Sequence, residues 1–206
     1  MWVLNRRQQM SDQTGLQQFW QDFNDLDQDV EYFVTARLFE GTPAIWPKNI
    51  EYVRWRHEIA KRLNVDPMGI QLVGSARLGY SLSPGKKFKR FDGDSDLDIA
   101  VVSDEIFDQA WLELRRLIKS RRELDSQKRY LHRLVFEECI ALDIVLPHMS
   151  FGDQWSYIRD EIAELLGEGL DNREINYRLY RNHRALREYQ LVGVATARDR
   201  AIEEGA

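Results

Sequence analysis

The sequence predicts an α+β fold: a small mixed β-sheet backed by helices, with helical extensions before and after it. Three observations predict it. Apolar residues recur at helical spacing over 15–39 and 50–63. Short apolar runs, "IQLVG", "SDLDIAVVS" and "IALDIVL", are bounded by turn-forming residues and read as strands. The overall order is helix, helix, strand, helix, strand, helix, strand pair, helices, which suits a mixed sheet with helices packed on it.

Each element has its own justification. Phe19, Trp20, Phe23, Leu26, Val30, Phe33, Val34 and Leu38 share a helical stripe, so 15–39 is expected to be helical. "EGTPAIWPKN" holds two prolines and reads as a loop. "IEYVRWRHEIAKRL" is a second amphipathic helix, ended by "NVDPMG". "IQLVG" is a strand, and Ser75 begins a turn or short helix. "SPGKKFKRFDG" is a loop, expected to be flexible, and "SDLDIAVVS" is a strand. Asp104 caps a helix whose apolar face runs from Phe107 to Ile118. A basic helical piece spans 121–131, and a strand pair is expected near "RLVFEE" and "IALDIVL". Helices are expected over 152–167 and 172–196. The expected organisation is a mobile tail at 1–14, a helical extension at 15–49, a core at 50–150 and a helical region at 151–206.

Composition narrows the classes. The chain has 206 residues, 43% of them hydrophobic, with six tryptophans, enough for one large packed domain or a domain with an appendage. There is no apolar run of about 18 residues, so no membrane span is expected. A single cysteine, Cys139, excludes an internal disulfide and a cysteine-based zinc cluster. A cytoplasmic location follows as the plain expectation. The net charge of −5 hides an asymmetry. Residues 12–31 are acidic, whereas Arg115, Arg116, Lys119, Arg121 and Arg122 form one basic patch. Arg178, Arg181, Arg184 and Arg187 form another, read as one face of a C-terminal helix. Both patches could meet a phosphate-rich ligand such as RNA, or pair with the acidic segment.

The segment "DGDSDLDIAVV" carries the chemistry. Residues two apart in a strand face the same side, so Asp96 and Asp98 project together. Two ionised carboxylates repel unless a cation lies between them, and close hard oxygen ligands select Mg²⁺ or Mn²⁺. Asp92 and Asp94 share the alternation. They fit the loop beside Gly93 better, because "LDIAVV" sets Asp98 against the core strand. Asp143, alone among apolar residues in "IALDIVLP", is expensive to bury without a partner. Pairing of its strand with 96–102 would bring it to the same cation. Gly74 permits close approach of backbone to a ligand, and the Ser75 hydroxyl can hold phosphate oxygens. The four histidines show no ligand spacing. Neither a G-x-S-x-G elbow nor a phosphate-binding G-x-x-x-x-G-K-[ST] loop is present.

Gly74-Ser75, then Asp96-Leu97-Asp98, then Asp143 resembles the pattern of the polymerase-β-type nucleotidyltransferase superfamily, over roughly residues 50–147. The segment between Ser75 and Asp96 is longer than in the smallest members. The resemblance implies a nucleotidyltransferase core, an enzyme that moves a nucleoside monophosphate from an NTP, with ATP the expected one, to a hydroxyl with release of pyrophosphate. It implies that Asp96, Asp98 and Asp143 hold Mg²⁺ or Mn²⁺, and that Asp143 takes the acceptor proton. Gly74 and Ser75 would hold phosphates, with Arg77, Lys86, Lys87, Lys89 and Arg90 as further nucleotide-binding candidates. The acceptor stays open between RNA, protein and a small molecule. A toxin–antitoxin or phage-defence setting, a homo-oligomer or a partner protein are expectations by analogy alone. The other class carried forward is a non-catalytic module that binds a nucleotide or a protein.

Overall fold

The computed structural model describes residues 14–120, 124–165 and 173–203. Four strands form one sheet: β1 (Ile70–Val73), β2 (Leu97–Val102), β3 (Cys139–Ala141) and β4 (Ile175–Tyr180), in the spatial order β1-β2-β4-β3. β2 and β4 are parallel, while β1 and β3 run antiparallel to them at the two edges. The sheet is therefore small and mixed, as the sequence predicts. It also draws on residues beyond 150, because β4 is inserted between β2 and β3.

The helices are α1 (Gly15–Asn24), α2 (Val30–Phe33), α3 (Asn49–Leu63), α4 (Gly74–Leu78), α5 (Asp104–Ser120), α6 (Lys128–Phe136), α7 (Leu142–Val145), α8 (Gly152–Leu165) and α9 (His183–Glu203). Thr14 caps α1 with a reciprocal capping box: it accepts from the Gln17 N–H while the Gln17 side chain accepts from its own. The expected single helix over 15–39 is broken. Asp27 and Gln28 adopt left-handed backbone, and Asp29 caps α2. A short π-helical turn, Val34–Phe39, continues from there.

Two strand assignments change. "RLVFEE" is not a strand: Leu131 and Leu134, three apart, bury one face of α6. The expected helix over 172–196 begins as β4, where Ile175, Tyr177 and Leu179 alternate with Asn176 and Arg178. The three-residue spacing of the arginines overlies that alternation and imitates a helix. The expectations for residues 1–13 and for Arg121 and Arg122 lie outside the described residues.

Two hydrophobic cores result. The larger packs α3, α5, α6 and α8 on the sheet, around Ile59, Leu72, Ile99, Phe107 and Leu179. The second joins the two ends of the chain: Phe19, Phe23 and Phe33 meet Tyr80, Phe88 and, on α9, Val194 and Ala197. The terminal extensions are thus packed on each other. Among the described residues no helix is long and apolar enough to cross a membrane.

Candidate functional site

A cleft of about 1070 Å³ opens over the ends of β1, β2 and β4, with α9 along one wall. Six of the ten candidate site residues line it: Gly74, Ser75, Lys86, Asp96, Asp98 and Asp143. Their convergence follows from strand register. Asp98 lies opposite Val73 on β1 and opposite Asn176 on β4. Gly74-Ser75 follows Val73 directly, so the turn sits beside Asp98. On the other side, Ala141 of β3 lies opposite Arg178. Because β3 runs antiparallel to β4, the chain from Ala141 to Asp143 heads back toward the level of Asn176 and Asp98.

Asp143 does not sit in a strand. β3 stops at Ala141, and Asp143 lies in the first turn of α7, exposed rather than buried. Its neighbour in the sheet is β4, not β2. It reaches the cleft from the far edge, and its charge acts on Asp98 across β4.

Gly74 is a glycine for two reasons. Its φ is +67°, in the left-handed region that side chains resist. A Cβ there would lie 2.7 Å from the Asp98 Oδ2. The backbone therefore passes against the carboxylate itself.

Asp98 is the unusual group. It is part-buried on the cleft side of β2, and its carboxyl is held above the ordinary carboxylate value. Burial is the main cause, and the charges of Asp96 and Asp143 push the same way. Arg178 and Lys86 pull in the opposite direction. Among the described residues no hydrogen bond or ion pair reaches the Asp98 carboxylate. Asp96, one residue before β2, has its Oδ2 3.8 Å from the Lys86 Nζ. Asp92 and Asp94 fall in the loop: Asp92 accepts from the Ser95 hydroxyl at 2.9 Å and from the Asp94 N–H at 3.2 Å.

Four candidates stand elsewhere and do not line the cleft. Arg77 is turned away and buried; its guanidinium donates to the carbonyls of Arg37, Glu40 and Gly41. It closes the C-terminal end of the π-helical turn, where free carbonyls need donors. Lys89 pairs with Asp92 at 2.9 Å. Lys87 is exposed, and Arg90 bridges back to Tyr80. The basic loop is a pinned finger rather than a free tip. Phe88 is buried with its ring 4.9 Å from that of Phe19, and Ser81 N–H donates to the Lys89 carbonyl.

Two groups that the sequence reading placed on a helix or passed over belong to the cleft, Asn176 and Arg178. The alternation in "INYRLY" could have shown them. The rest of the C-terminal basic patch is largely neutralised. Arg181 pairs with Asp108 and Glu138, Arg184 with Glu188, and Arg187 with Glu31 of the acidic segment. Arg115 lies over the Trp111 ring.

Among the described residues no three His, Cys, Asp or Glu side chains are grouped closely enough to cage a metal. Mg²⁺ does not require such a cage, since it is held by one or two carboxylates together with substrate phosphates. An unpartnered, part-buried Asp98 between two further carboxylates fits that mode. Comparison with protein-family models, with curated proteins and with solved structures gives no match.

Proposed function

We propose that the protein is a divalent-metal-dependent nucleotidyltransferase, moving a nucleoside monophosphate from an NTP, ATP by preference, to a hydroxyl acceptor and releasing pyrophosphate. One observation supports it above the others. Asp98 is a carboxylate held at a cost, with no hydrogen bond or ion pair among the described residues, beside the Gly74-Ser75 turn and within range of Asp96 and Asp143. A fold keeps such a group where a ligand completes it.

In this reading Asp96 and Asp98 would hold Mg²⁺ or Mn²⁺ with the NTP phosphates, and Asp143 would assist. The metal supplies charge neutralisation on the phosphates and a lowered pKa for the attacking hydroxyl. The Ser75 hydroxyl and the backbone N–H groups of its turn donate to phosphate oxygens. Lys86, already at the Asp96 carboxylate, turns its ammonium to the triphosphate. The acceptor oxygen forms a bond to the α-phosphorus, the bond from that phosphorus to the pyrophosphate oxygen breaks, and an Asp143 oxygen receives the hydroxyl proton.

The competing reading is a module of the same architecture that binds nucleotide without transfer. One experiment separates them. The protein is incubated with each NTP, labelled at the α-phosphorus, with Mg²⁺ or Mn²⁺ and a cell extract. Label is then sought in RNA, protein and small molecules, and pyrophosphate is measured. Transfer of label with stoichiometric pyrophosphate, lost in Asp98→Asn, is the expected result. Metal-dependent NTP binding that never yields pyrophosphate would leave only the binding module.

A further inference from the structure

The cleft has two unlike sides, and no donor contact is assigned to the second. Sheet order sets them apart. Gly74 and Ser75 approach Asp98 from the β1 side. Arg178 approaches from β4, on the opposite side of β2. Its register partner on β2 is Ala100, two residues beyond Asp98 and on the same face. Arg178 is part-buried, yet among the described residues no carboxylate forms an ion pair with it. Its guanidinium donates instead to two phenol oxygens, those of Tyr189 on α9 and Tyr130 on α6. Its plane lies over the Tyr189 ring, 5.2 Å from the centroid. Burial works against the charge, but the surrounding tyrosines outweigh it and keep the guanidinium firmly charged. Asp98 acts on it without forming an ion pair, so the fork is free to take up an anion that enters the cleft. A guanidinium held in this way matches phosphate oxygens better than a flexible ammonium would.

The rim above it adds a second feature. Arg133 and Phe136 lie three residues apart on α6, so they share a face, and both line the cleft. Phe136 is 90% exposed, a full aromatic ring standing in solvent at the cleft mouth. A phosphate below and a bare ring above are complementary to a nucleotide, whose base stacks on an aromatic face.

We infer that the β4 side of the cleft, with Arg178 at its floor and Phe136 at its rim, is the acceptor subsite, and that the acceptor is a phosphate-bearing nucleotide rather than a cationic small molecule. This rests on the nucleotidyltransferase reading for what happens next: a hydroxyl of the bound nucleotide forms the new bond to the donor's α-phosphorus, pyrophosphate departs with the broken bond, and the hydroxyl proton passes to Asp143.

Calorimetry tests the subsite without catalysis. The donor side is first saturated with α,β-methylene ATP and Mg²⁺, which cannot transfer its nucleotide. AMP and GMP are then titrated, with adenosine and guanosine as phosphate-free controls and kanamycin as a cationic one. The nucleotides are expected to bind at least about tenfold more tightly than their nucleosides, the scale of a charge-assisted contact. Arg178→Gln should remove that difference. Arg178→Lys should restore part of it, and Tyr189→Phe should weaken it by loosening the fork. If Arg178→Gln fails to fold, the comparison of nucleotide with nucleoside on the unaltered protein still decides. Equal binding of nucleotide and nucleoside, tighter binding of kanamycin, or an Arg178→Gln defect confined to the ATP analogue each overturns the inference. If the analogue does not bind at all while AMP binds through Arg178, the donor reading fails and the anion subsite stands.

Discussion

Asp22 and Asp98 are two carboxylates in one chain, both held above the ordinary carboxylate value, and in both burial is the main cause. Their surroundings differ. Asp22, in the core formed by the two ends of the chain, accepts from the Tyr80 hydroxyl at 2.9 Å and from the Gln18 amide at 3.2 Å. Arg37 reaches it at 3.1 Å. It ties α1 to the π-helical turn and to the finger that follows α4. Among the described residues Asp98 has no such donor, and it stands between the charges of Arg178 and Lys86, which ease its ionisation, and those of Asp96 and Asp143, which oppose it. The first carboxylate is part of what holds the molecule together. The second is a cost the sheet carries, and a ligand that enters the cleft would offset it. Burial alone therefore does not mark a site; burial without partners does.

The sharpest way to break this comparison is to remove each group and measure both stability and transfer. Asp22→Ala leaves the Tyr80 hydroxyl and the Gln18 amide short of an acceptor and takes from Arg37 the nearer of its two carboxylates. A loss of roughly 3 kcal/mol is expected. For a chain of this size that is a fall in Tm of roughly 6–12 °C, with transfer by the folded fraction unchanged. Asp98→Asn should do the reverse. Stability stays level or rises by about 1 kcal/mol, because a part-buried charge without a hydrogen-bond donor has gone, while transfer falls at least about a hundredfold. Thermal melts and pyrophosphate release on the two variants check it. A destabilised Asp98→Asn with intact transfer would make Asp98 a structural group like Asp22.

The contrast also explains what could be read from the sequence. Gly74-Ser75 and Asp96-Leu97-Asp98 were legible because their constraint is local. A glycine at positive φ ends one strand, and a carboxylate at the start of an apolar run begins the next. The pairing of β1 with β2 then needs no further information. Arg178 was not legible as a cleft residue. Its place depends on β4 returning from beyond residue 150 to lie between β2 and β3, a long-range pairing that local pattern does not fix. Asp143 was legible as a residue of the site but not in its setting: β3 is three residues long, and "LDIV" turns into α7 before the aspartate. Arg77 misled because a basic residue one turn after Gly-Ser reads as a phosphate ligand. Its true partners are carbonyls some 40 residues earlier in the chain. Asp22 sat in an acidic stretch that reads as surface, and only the packing of α1 shows that it is buried.

A second test uses pH. Both carboxyls take up a proton more readily in the fold than in the unfolded chain, where the value is near 3.8. The fold therefore binds extra protons between that value and the raised one, and stability falls as pH climbs through this window. The contribution of each is fully present below 3.8 and lost above the raised folded value. Asp98→Asn should flatten this part of the profile. Mg²⁺ with α,β-methylene ATP should flatten it too in the unaltered protein, because a cation at Asp98 favours the ionised form. Neither treatment should alter the share that belongs to Asp22. Chemical denaturation in steps across mildly acidic pH measures the slopes. A slope insensitive to both treatments would mean that Asp98 is not where the cation binds.

The smallest expected effect concerns Lys86, which marks the boundary between the two kinds of site. Its Nζ is 3.8 Å from the Asp96 Oδ2, and the two side chains are 52% and 39% exposed. An ion pair so open to water adds little, so Lys86→Ala should change stability by less than about 0.5 kcal/mol. If Lys86 serves the cleft, the same variant should raise the KM for NTP several-fold and leave kcat nearly unchanged, since the ammonium holds the triphosphate before and during transfer alike. The salt dependence of KM should weaken, because screening acts on exposed charge. Lys87 gives the internal control. It stands on the same finger, one residue on, but does not line the cleft, so Lys87→Ala should leave KM where it was. Equal effects of the two lysines would show that the finger contributes only a diffuse positive field. A change at Lys86 alone would show that the pinned finger, held by Phe88 in the second core, sets one ammonium over the aspartates. That outcome would tie the region of satisfied contacts to the region of unsatisfied ones.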